Sequence, residues 1–216
     1  MGDNIFLYIP NLIDYGRVAC IIYVCFYFNT NPLMTAFMYA LSQALDAFDG
    51  MAARKFNQCN AFGAVLDMVC DRVSDAIMLS ILAQLYPSLS GVFLLACGLD
   101  IGSHWYQTYS TQYCGEAHHK TAKTEYRLLH IYYNAKGFLF TMVLGMEMFL
   151  VNMYLKAHEH NLDVPDWFKV VNTSLLLFSI PVFILKSFIS VIQLMSASQK
   201  ICRHETQLKL EASKKK

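Results

Sequence analysis

The chain has 216 residues, of which 56% are apolar and 15% are charged, and its mean hydropathy is +0.34. A soluble domain of this size carries a more strongly charged surface, so the composition predicts a membrane protein and argues against a soluble globular enzyme. The formal net charge of +1 gives no reason to expect a nucleic-acid partner. The seven cysteines include no C-x-x-C pair, so we expect reduced thiols and neither disulfides nor a zinc site.

Apolar stretches separated by short polar breaks follow one another along the chain. A membrane-spanning helix needs about 20 mostly apolar residues. Six segments meet this length, at roughly 12–29, 33–53, 64–86, 89–113, 128–157 and 167–197. The sequence therefore predicts an all-α, polytopic membrane protein with six transmembrane helices. We expect a single domain over residues 1–216, with a solvated, mobile C-terminal tail at about 203–216.

The distribution of basic residues predicts the orientation in the membrane. If the N-terminus is cytosolic, the loops at 54–63 and 114–127 and the C-terminal tail are cytosolic too, and these segments hold most of the lysines and arginines. The loops on the opposite side contain or adjoin only Lys156 and Lys169. Because cytosolic loops of membrane proteins carry an excess of basic residues, this orientation is favoured.

In that orientation the polar side chains of the predicted spans fall in the cytosolic half of the membrane. They are Asp14, Arg17, Asp46, Asp49, Arg54, Asp67, Asp71, Arg72, Asp75, Asp100, Ser103, His104, Arg127, His130, Asn134 and Lys136. Glu147 and Lys186 are the main exceptions. Ionisable groups within a membrane are costly unless they face water or one another, so we expect a polar chamber that opens to the cytosol.

Four aspartates are concentrated in the second and third predicted helices. Asp46 and Asp49 lie about 60° apart around one helix. Asp67 and Asp71 lie about 40° apart around the next. Four carboxylates this close repel one another, and Mg²⁺ or Mn²⁺, which prefer oxygen ligands, would relieve that repulsion. Structural ion pairs with neighbouring arginines are the alternative interpretation. The candidate partners are Arg17, Arg54 and Arg72.

Small and basic residues flank these aspartates. Gly50 follows Asp49, and Gly63 precedes Asp67 by one helical turn, so both glycines leave room for a ligand to approach the backbone. Arg54 is placed to hold an anionic group, and arginine binds phosphate through two hydrogen bonds. A phosphate-binding arginine beside metal-binding carboxylates predicts phosphoryl-group chemistry.

The aspartates and glycines form one spaced motif. It reads Asp46-x2-Asp49-Gly50-x2-Ala53-Arg54-x8-Gly63-x3-Asp67-x3-Asp71. By this motif the chain resembles the CDP-alcohol phosphatidyltransferase family. Other segments, such as NIFLYIPNLI at 4–13, SHW at 103–105 and RLLHIYY at 127–133, are similar to the members that use CDP-diacylglycerol and myo-inositol. The resemblance implies transfer of the phosphatidyl group to inositol with release of CMP.

The resemblance also implies a role for each motif residue. The expected ligands of two Mg²⁺ or Mn²⁺ ions are Asp46, Asp49, Asp67 and Asp71, and Asp71 is also the expected base that accepts a proton from the inositol hydroxyl. The expected contacts to CDP-diacylglycerol are Gly50, Ala53, Arg54 and Gly63, together with Asn60, which stands where relatives often carry Ser or Thr and can still donate and accept a hydrogen bond. Asp14 replaces a threonine common in the family and is assigned no function. Asp75 lies outside the motif, and we expect it to pair with Arg72 or face the chamber.

The residues that recognise inositol are less constrained by the sequence. Arg127 and Lys136 are the candidates for contacting the polyol, and their alternative role is to enforce topology or bind lipid headgroups. The family resemblance further implies the endoplasmic reticulum membrane, with membrane lipids around the protein, and a possible homodimer.

Two other functions remain open at this point. A related transferase would use glycerol 3-phosphate or serine as the acceptor, and the basic residues at 120–136 do not exclude a phosphorylated acceptor. A divalent-cation carrier would also need carboxylates within the membrane. Such a carrier should have polar residues along its whole path, whereas those of this chain stop about halfway.

Overall fold

The computed structural model describes residues 4–115, 126–135 and 137–214, and within these residues it contains helices and turns but no strand. The α-helices are α1 (Ile9–Tyr27), α2 (Pro32–Lys55), α3 (Ala61–Leu85), α4 (Ser90–Tyr113), α5 (Arg127–Asn134), α6 (Phe138–His158) and α7 (Asp166–Lys214). Short 3-10 helices occupy Ile5–Leu7, Pro87–Leu89 and Glu159–Asn161. The predicted all-α class is therefore confirmed.

The first of two compact units contains the described residues up to Leu94 together with Glu147–Phe178. In it, α1 packs along α2 and against α3. Pro10 lies in the first turn of α1, and Pro32 begins α2 directly after Asn31, whose side chain accepts a hydrogen bond from the Met34 backbone N–H. Proline favours the first turn because it has no N–H to leave unpaired there. The break between the predicted spans at 12–29 and 33–53 thus separates α1 from α2.

A tight loop at 56–60 joins α2 to α3. Asn57 adopts a left-handed backbone conformation with φ of 54°, which asparagine tolerates better than most residues. Asn60 then caps α3, since its side-chain oxygen accepts a hydrogen bond from the Gly63 N–H at 2.9 Å. The Ile9 backbone N–H donates to Gln58 Oε1 at 2.9 Å, so the loop is fastened to the beginning of α1.

The second unit contains Leu95–Met146 and the chain from Ser179 onward. Its buried hydrophobic cluster joins α5 and α6 to α7. The fully or nearly fully buried members are Leu129, Tyr132, Met142, Ile189 and Ile192. The predicted continuous span at 128–157 is broken within this unit. Ala135 is extended, and Gly137 has φ of +83°, a conformation that most other residues avoid, so α5 ends before α6 begins.

The helix α7 is continuous over 49 residues. It includes both the predicted sixth span and most of the predicted tail, and the described residues 203–214 are helical. Pro181 lies inside it. The mobility of this segment stays a prediction.

Among the described residues, three helical segments are long and apolar enough to cross a membrane, namely Ile9–Tyr27, Phe138–Asn161 and Asp166–Lys214. This supports a membrane protein. The helices α2, α3 and α4 are of comparable length but carry the polar and charged residues predicted to line a chamber.

Candidate functional site

The helices α1, α2 and α3 of the first unit bring aspartates from distant parts of the chain together. Side-chain oxygens of Asp46, Asp67 and Asp71 lie within 4.8 Å of one another. A second group, formed by Asp14, Asp49 and Asp67, meets the same limit. Asp46 and Asp49 of α2 therefore each lie close to Asp67 of α3, which belongs to both groups.

The donor atoms of these groups suit a hard divalent cation. All are carboxylate oxygens, the ligands that Mg²⁺ and Mn²⁺ prefer, and neither group contains a cysteine or histidine that would favour zinc. Two groups that share one carboxylate fit a pair of ions. The described residues thus form acidic clusters capable of holding divalent metal.

Asp14 joins this cluster although the motif does not contain it. Asp14 is 1% exposed, and its carboxylate belongs to one of the two carboxylate groups. The available signal was its position in α1, one helical turn before Arg17. That spacing put both residues on one face, but nothing in the local pattern showed that the face would meet α2 and α3.

Arg17 lies at the centre of the aspartates and is 0% exposed. Its Nη1 atom is 2.9–3.2 Å from an oxygen of each of four carboxylates, and its Nη2 atom pairs with the fifth. The four are Asp14, Asp46, Asp49 and Asp67, and the fifth is Asp71. The ion-pair interpretation of the sequence therefore also describes this site, with one arginine serving five carboxylates.

The other two candidate arginines differ from Arg17. Arg72 pairs with Asp75 at 3.1 Å, as predicted, and lies 3.6 Å from the second oxygen of Asp71. Arg54 is exposed and forms no ion pair with any residue that the structure describes. A guanidinium without a carboxylate partner is available to bind an anionic ligand.

A cleft opens beside the aspartates between α1, α2 and α3. It is lined by Pro10, Asp14, Asp49, Gly50, Ala53, Gln58, Cys59, Asn60, Gly63, Ala64 and Asp67. Four of the predicted contacts to CDP-diacylglycerol are in this lining, namely Gly50, Ala53, Asn60 and Gly63. Asn60 also has a structural role, because its amide caps α3 and its Nδ2 donates to the Gln58 carbonyl at 2.8 Å.

The two glycines of the cleft have different neighbours. A Cβ atom on Gly63 would lie 2.9 Å from Oδ1 of the fully buried Asn11, which is closer than carbon and oxygen can pack. A Cβ atom on Gly50 would lie 3.5 Å from Nη1 of Arg54, which is an ordinary contact. Gly63 is thus required by packing, whereas Gly50 keeps open space beside Arg54.

Glu147 and Lys186, the two exceptions to the predicted cytosolic placement of polar side chains, both have buried partners. In the first unit, the Tyr39 hydroxyl lies 2.7 Å from Glu147 Oε2 and 3.3 Å from Asp75 Oδ1. In the second unit, Lys186 pairs with Asp100 at 3.4 Å, and both side chains are almost fully buried. These contacts supply the hydrogen bonds that polar groups inside a membrane require.

The predicted contacts to inositol are Arg127 and Lys136. Arg127 is the exposed first residue of α5 in the second unit. Lys136 lies outside the residues that the structure describes. Both roles stay predictions.

Comparison with known proteins gives an independent result. The family model described as CDP-alcohol phosphatidyltransferase matches residues 7–124. A Candida albicans protein is 38% identical over 93% of this chain and 84% of its own length. A human protein is 39% identical over 91% of this chain and 92% of its own. Both are named CDP-diacylglycerol–inositol 3-phosphatidyltransferase. No solved structure shows a significant match to the chain.

Proposed function

The chain belongs to the CDP-alcohol phosphatidyltransferase family, and on that premise we propose that it transfers the phosphatidyl group of CDP-diacylglycerol to myo-inositol and releases CMP. The observation that carries this proposal is similarity over about nine-tenths of the chain to proteins named for that reaction in fungi and animals. An Arabidopsis protein with a "probable" form of the same name is 41% identical over 90% of this chain. The acceptor is therefore inositol.

The proposed mechanism is a single displacement at phosphorus. The Asp71 carboxylate accepts the proton of an inositol hydroxyl, whose oxygen bonds to the β-phosphorus of CDP-diacylglycerol as the bond to the bridging oxygen breaks and CMP leaves. The carboxylates of Asp46, Asp49, Asp67 and Asp71 would hold two Mg²⁺ or Mn²⁺ ions. Such ions, when bound, polarise the phosphate and stabilise the leaving group.

Other residues of the chain would bind and orient the lipid nucleotide. The exposed guanidinium of Arg54, at the end of α2, is placed beside the cleft to contact the pyrophosphate. Gly50, Ala53 and Gly63 present backbone without bulky side chains along the same cleft. Asn60 would add a hydrogen bond to the nucleotide. Arg127 and Lys136 are proposed to contact the polyol.

The proposed setting is the endoplasmic reticulum membrane, with six spans in one domain and the site open to the cytosol. The distribution of basic loops supports this orientation. A site at the membrane boundary reaches both substrates, because inositol is soluble and CDP-diacylglycerol is held in the bilayer by its acyl chains. A homodimer within the membrane is also proposed.

The test uses purified protein in detergent with CDP-diacylglycerol, Mg²⁺ or Mn²⁺ and labelled myo-inositol, glycerol 3-phosphate or serine. We expect metal-dependent phosphatidylinositol and CMP, and at least a hundredfold lower rate in Asp71→Asn because the proton acceptor is lost. Asp163→Asn is the matched control, since Asp163 is exposed outside the helices. Product formed from another acceptor would leave the family assignment intact and refute inositol as the acceptor. Absence of CMP release with every acceptor would refute the transferase activity.

A further inference from the structure

Arg17 supplies the positive charge around which the aspartate cluster is arranged. Its guanidinium is inaccessible to solvent and lies within 3.2 Å of four carboxylates through one nitrogen alone. Its other terminal nitrogen pairs with Asp71. Arg72 also lies 3.6 Å from the second oxygen of Asp71, and it pairs with Asp75 at 3.1 Å. Arg17 is therefore the side chain that contacts all five carboxylates of the cluster.

The guanidinium and a divalent ion need the same space. Mg²⁺ binds carboxylate oxygens at about 2.0–2.1 Å and tolerates little departure from octahedral geometry. Asp46 and Asp67, which belong to one candidate ion group, each have an oxygen 2.9 Å from Arg17 Nη1. Asp14 and Asp49, of the other group, are 3.1 and 3.2 Å from the same atom. An ion among these oxygens would contact the guanidinium, and two cations in one buried space repel each other.

Arg17 alone is nevertheless an incomplete partner for the cluster. A terminal guanidinium nitrogen carries two hydrogens, so Nη1 cannot hydrogen-bond to four carboxylates at once. Five carboxylates against one guanidinium leave a formal excess of four negative charges when all are ionised, which is the charge that two divalent ions neutralise. Both features predict that added cations would be bound strongly here.

We propose that Arg17 is a positioning residue that holds the carboxylates together in the metal-free protein and is displaced from them when divalent metal binds. Metal and guanidinium are then alternative occupants of the same carboxylates. This inference rests on the proposed metal site but not on the identity of the acceptor. Arg17 would keep the site assembled during folding and set the threshold of metal concentration for loading.

The test measures Mn²⁺ binding without nucleotide, by electron paramagnetic resonance, in the wild type, Arg17→Gln and Arg17→Lys. Removal of the Arg17 guanidinium and its charge should make Mn²⁺ binding at least about tenfold tighter in Arg17→Gln. The Mn²⁺ affinity of Arg17→Lys should lie between those of Arg17→Gln and the wild type. Arg54→Gln is the matched control and should keep the wild-type affinity, because Arg54 touches none of the aspartates. In EDTA, the Tm of Arg17→Gln should be lower than that of the wild type. Addition of Mn²⁺ should raise the Tm of Arg17→Gln by more than it raises the Tm of the wild type.

The outcomes separate the two proposals. Unchanged or weaker Mn²⁺ binding in Arg17→Gln would overturn the role of Arg17 while leaving the metal site intact. Absence of Mn²⁺ binding to the wild type would overturn both. Metal binding with phosphatidylinositol missing from the activity assay would contradict only the proposed function.

A measurement on the wild type keeps the inference testable if Arg17→Gln does not fold. Phenylglyoxal modifies accessible arginines, and mass spectrometry of peptides reports each site. Modification of Arg17 should be slow in EDTA and at least several-fold faster with Mn²⁺, whereas exposed Arg54 should react equally in both. Equal or slower modification of Arg17 with Mn²⁺ would overturn its displacement.

Discussion

At the scale of single residues, Gly63 and Gly50 both line the cleft, but a side chain at each would meet different atoms. Asn11 is fully buried and its Nδ2 donates to the Ile5 carbonyl at 2.6 Å, so it cannot move away from a methyl group on Gly63. We expect Gly63→Ala to destabilise the protein by about 1–3 kcal/mol, as overpacking does. The fall in Tm would be measured in detergent.

Gly50→Ala is the matched comparison. Its methyl group would make only an ordinary contact with Arg54, so the Tm should stay within about a degree or two of the wild type. The same methyl group would narrow the cleft, and the KM for CDP-diacylglycerol should rise. Equal Tm losses in the two variants would contradict this assignment of roles.

Asp67 belongs to both carboxylate groups, whereas Asp46 belongs to one. Replacing a shared ligand should weaken two ions, so we expect Asp67→Asn to lose most Mn²⁺ binding. Asp46→Asn should retain a single ion at reduced affinity. Titration with Mn²⁺, followed by electron paramagnetic resonance, gives the stoichiometry. One retained ion in both variants would show that the groups do not share Asp67.

These residues also show what the sequence could predict. The four motif aspartates were identified from helical spacing, because Asp46 and Asp49 share a face and Asp67 and Asp71 share another. Arg17 and Asp14 lie more than 28 residues away along the chain, and their place among the aspartates depends on how α1 packs. Local periodicity gives the face of a helix but not the neighbour it meets.

At the scale of helices, Asn60 is where α3 begins. Loss of an N-cap side chain costs about 0.5–2 kcal/mol, so Asn60→Ala should lower the Tm. Asn60→Asp keeps an oxygen for the Gly63 N–H and should recover most of that loss. Thermal unfolding and activity should be compared in both variants. If Asn60→Asp is as stable as the wild type but binds CDP-diacylglycerol poorly, the amide also contacts the nucleotide.

The helix boundaries were predicted unevenly. The break between α1 and α2 was found because a short polar segment separates two apolar spans, and Asn31-Pro32 in that segment is also a strong start signal for a helix. The break between α5 and α6 was missed because Asn134 and Lys136, which interrupt the apolar pattern there, were assigned to the lining of the polar chamber. The signal there is Gly137, whose positive φ ends the regular backbone. An isolated glycine in an apolar span is a weak indication, because many are tolerated within transmembrane helices.

At the scale of the whole molecule, the expected orientation can be tested through Cys59. This cysteine is exposed in the loop at 56–60, which the distribution of basic residues predicts to be cytosolic. In sealed microsomes, a variant with Cys59 as its sole cysteine should react with a membrane-impermeant maleimide. A variant with Asp163→Cys as its sole cysteine should react only after permeabilisation. Reaction of both, or the reverse pattern, would refute the orientation.

The membrane character of the chain followed from composition, and three helical segments support it. The complete count of spans is harder to obtain because charge and hydropathy conflict in α2 and α3. The hydropathy of these helices is lowered by Asp46, Asp49, Asp67 and Asp71. These aspartates nevertheless pair with the buried Arg17 inside the fold. A hydropathy scale treats each side chain as if it met lipid alone.

The length of α7 has a consequence for how far the protein extends beyond the membrane. At 1.5 Å per residue, the 36 residues of α7 from Ser179 to Lys214, which belong to the second unit, extend about 54 Å, whereas the hydrocarbon core of a bilayer is about 30 Å thick. A helix that crosses near the membrane normal therefore stands well clear of the lipid headgroups at one end. Electrostatic attraction to lipid fades within about 8 Å at physiological salt. The lysines at 209 and 214 would then lie beyond the reach of the lipid headgroups, and their charges would be accessible to soluble proteins.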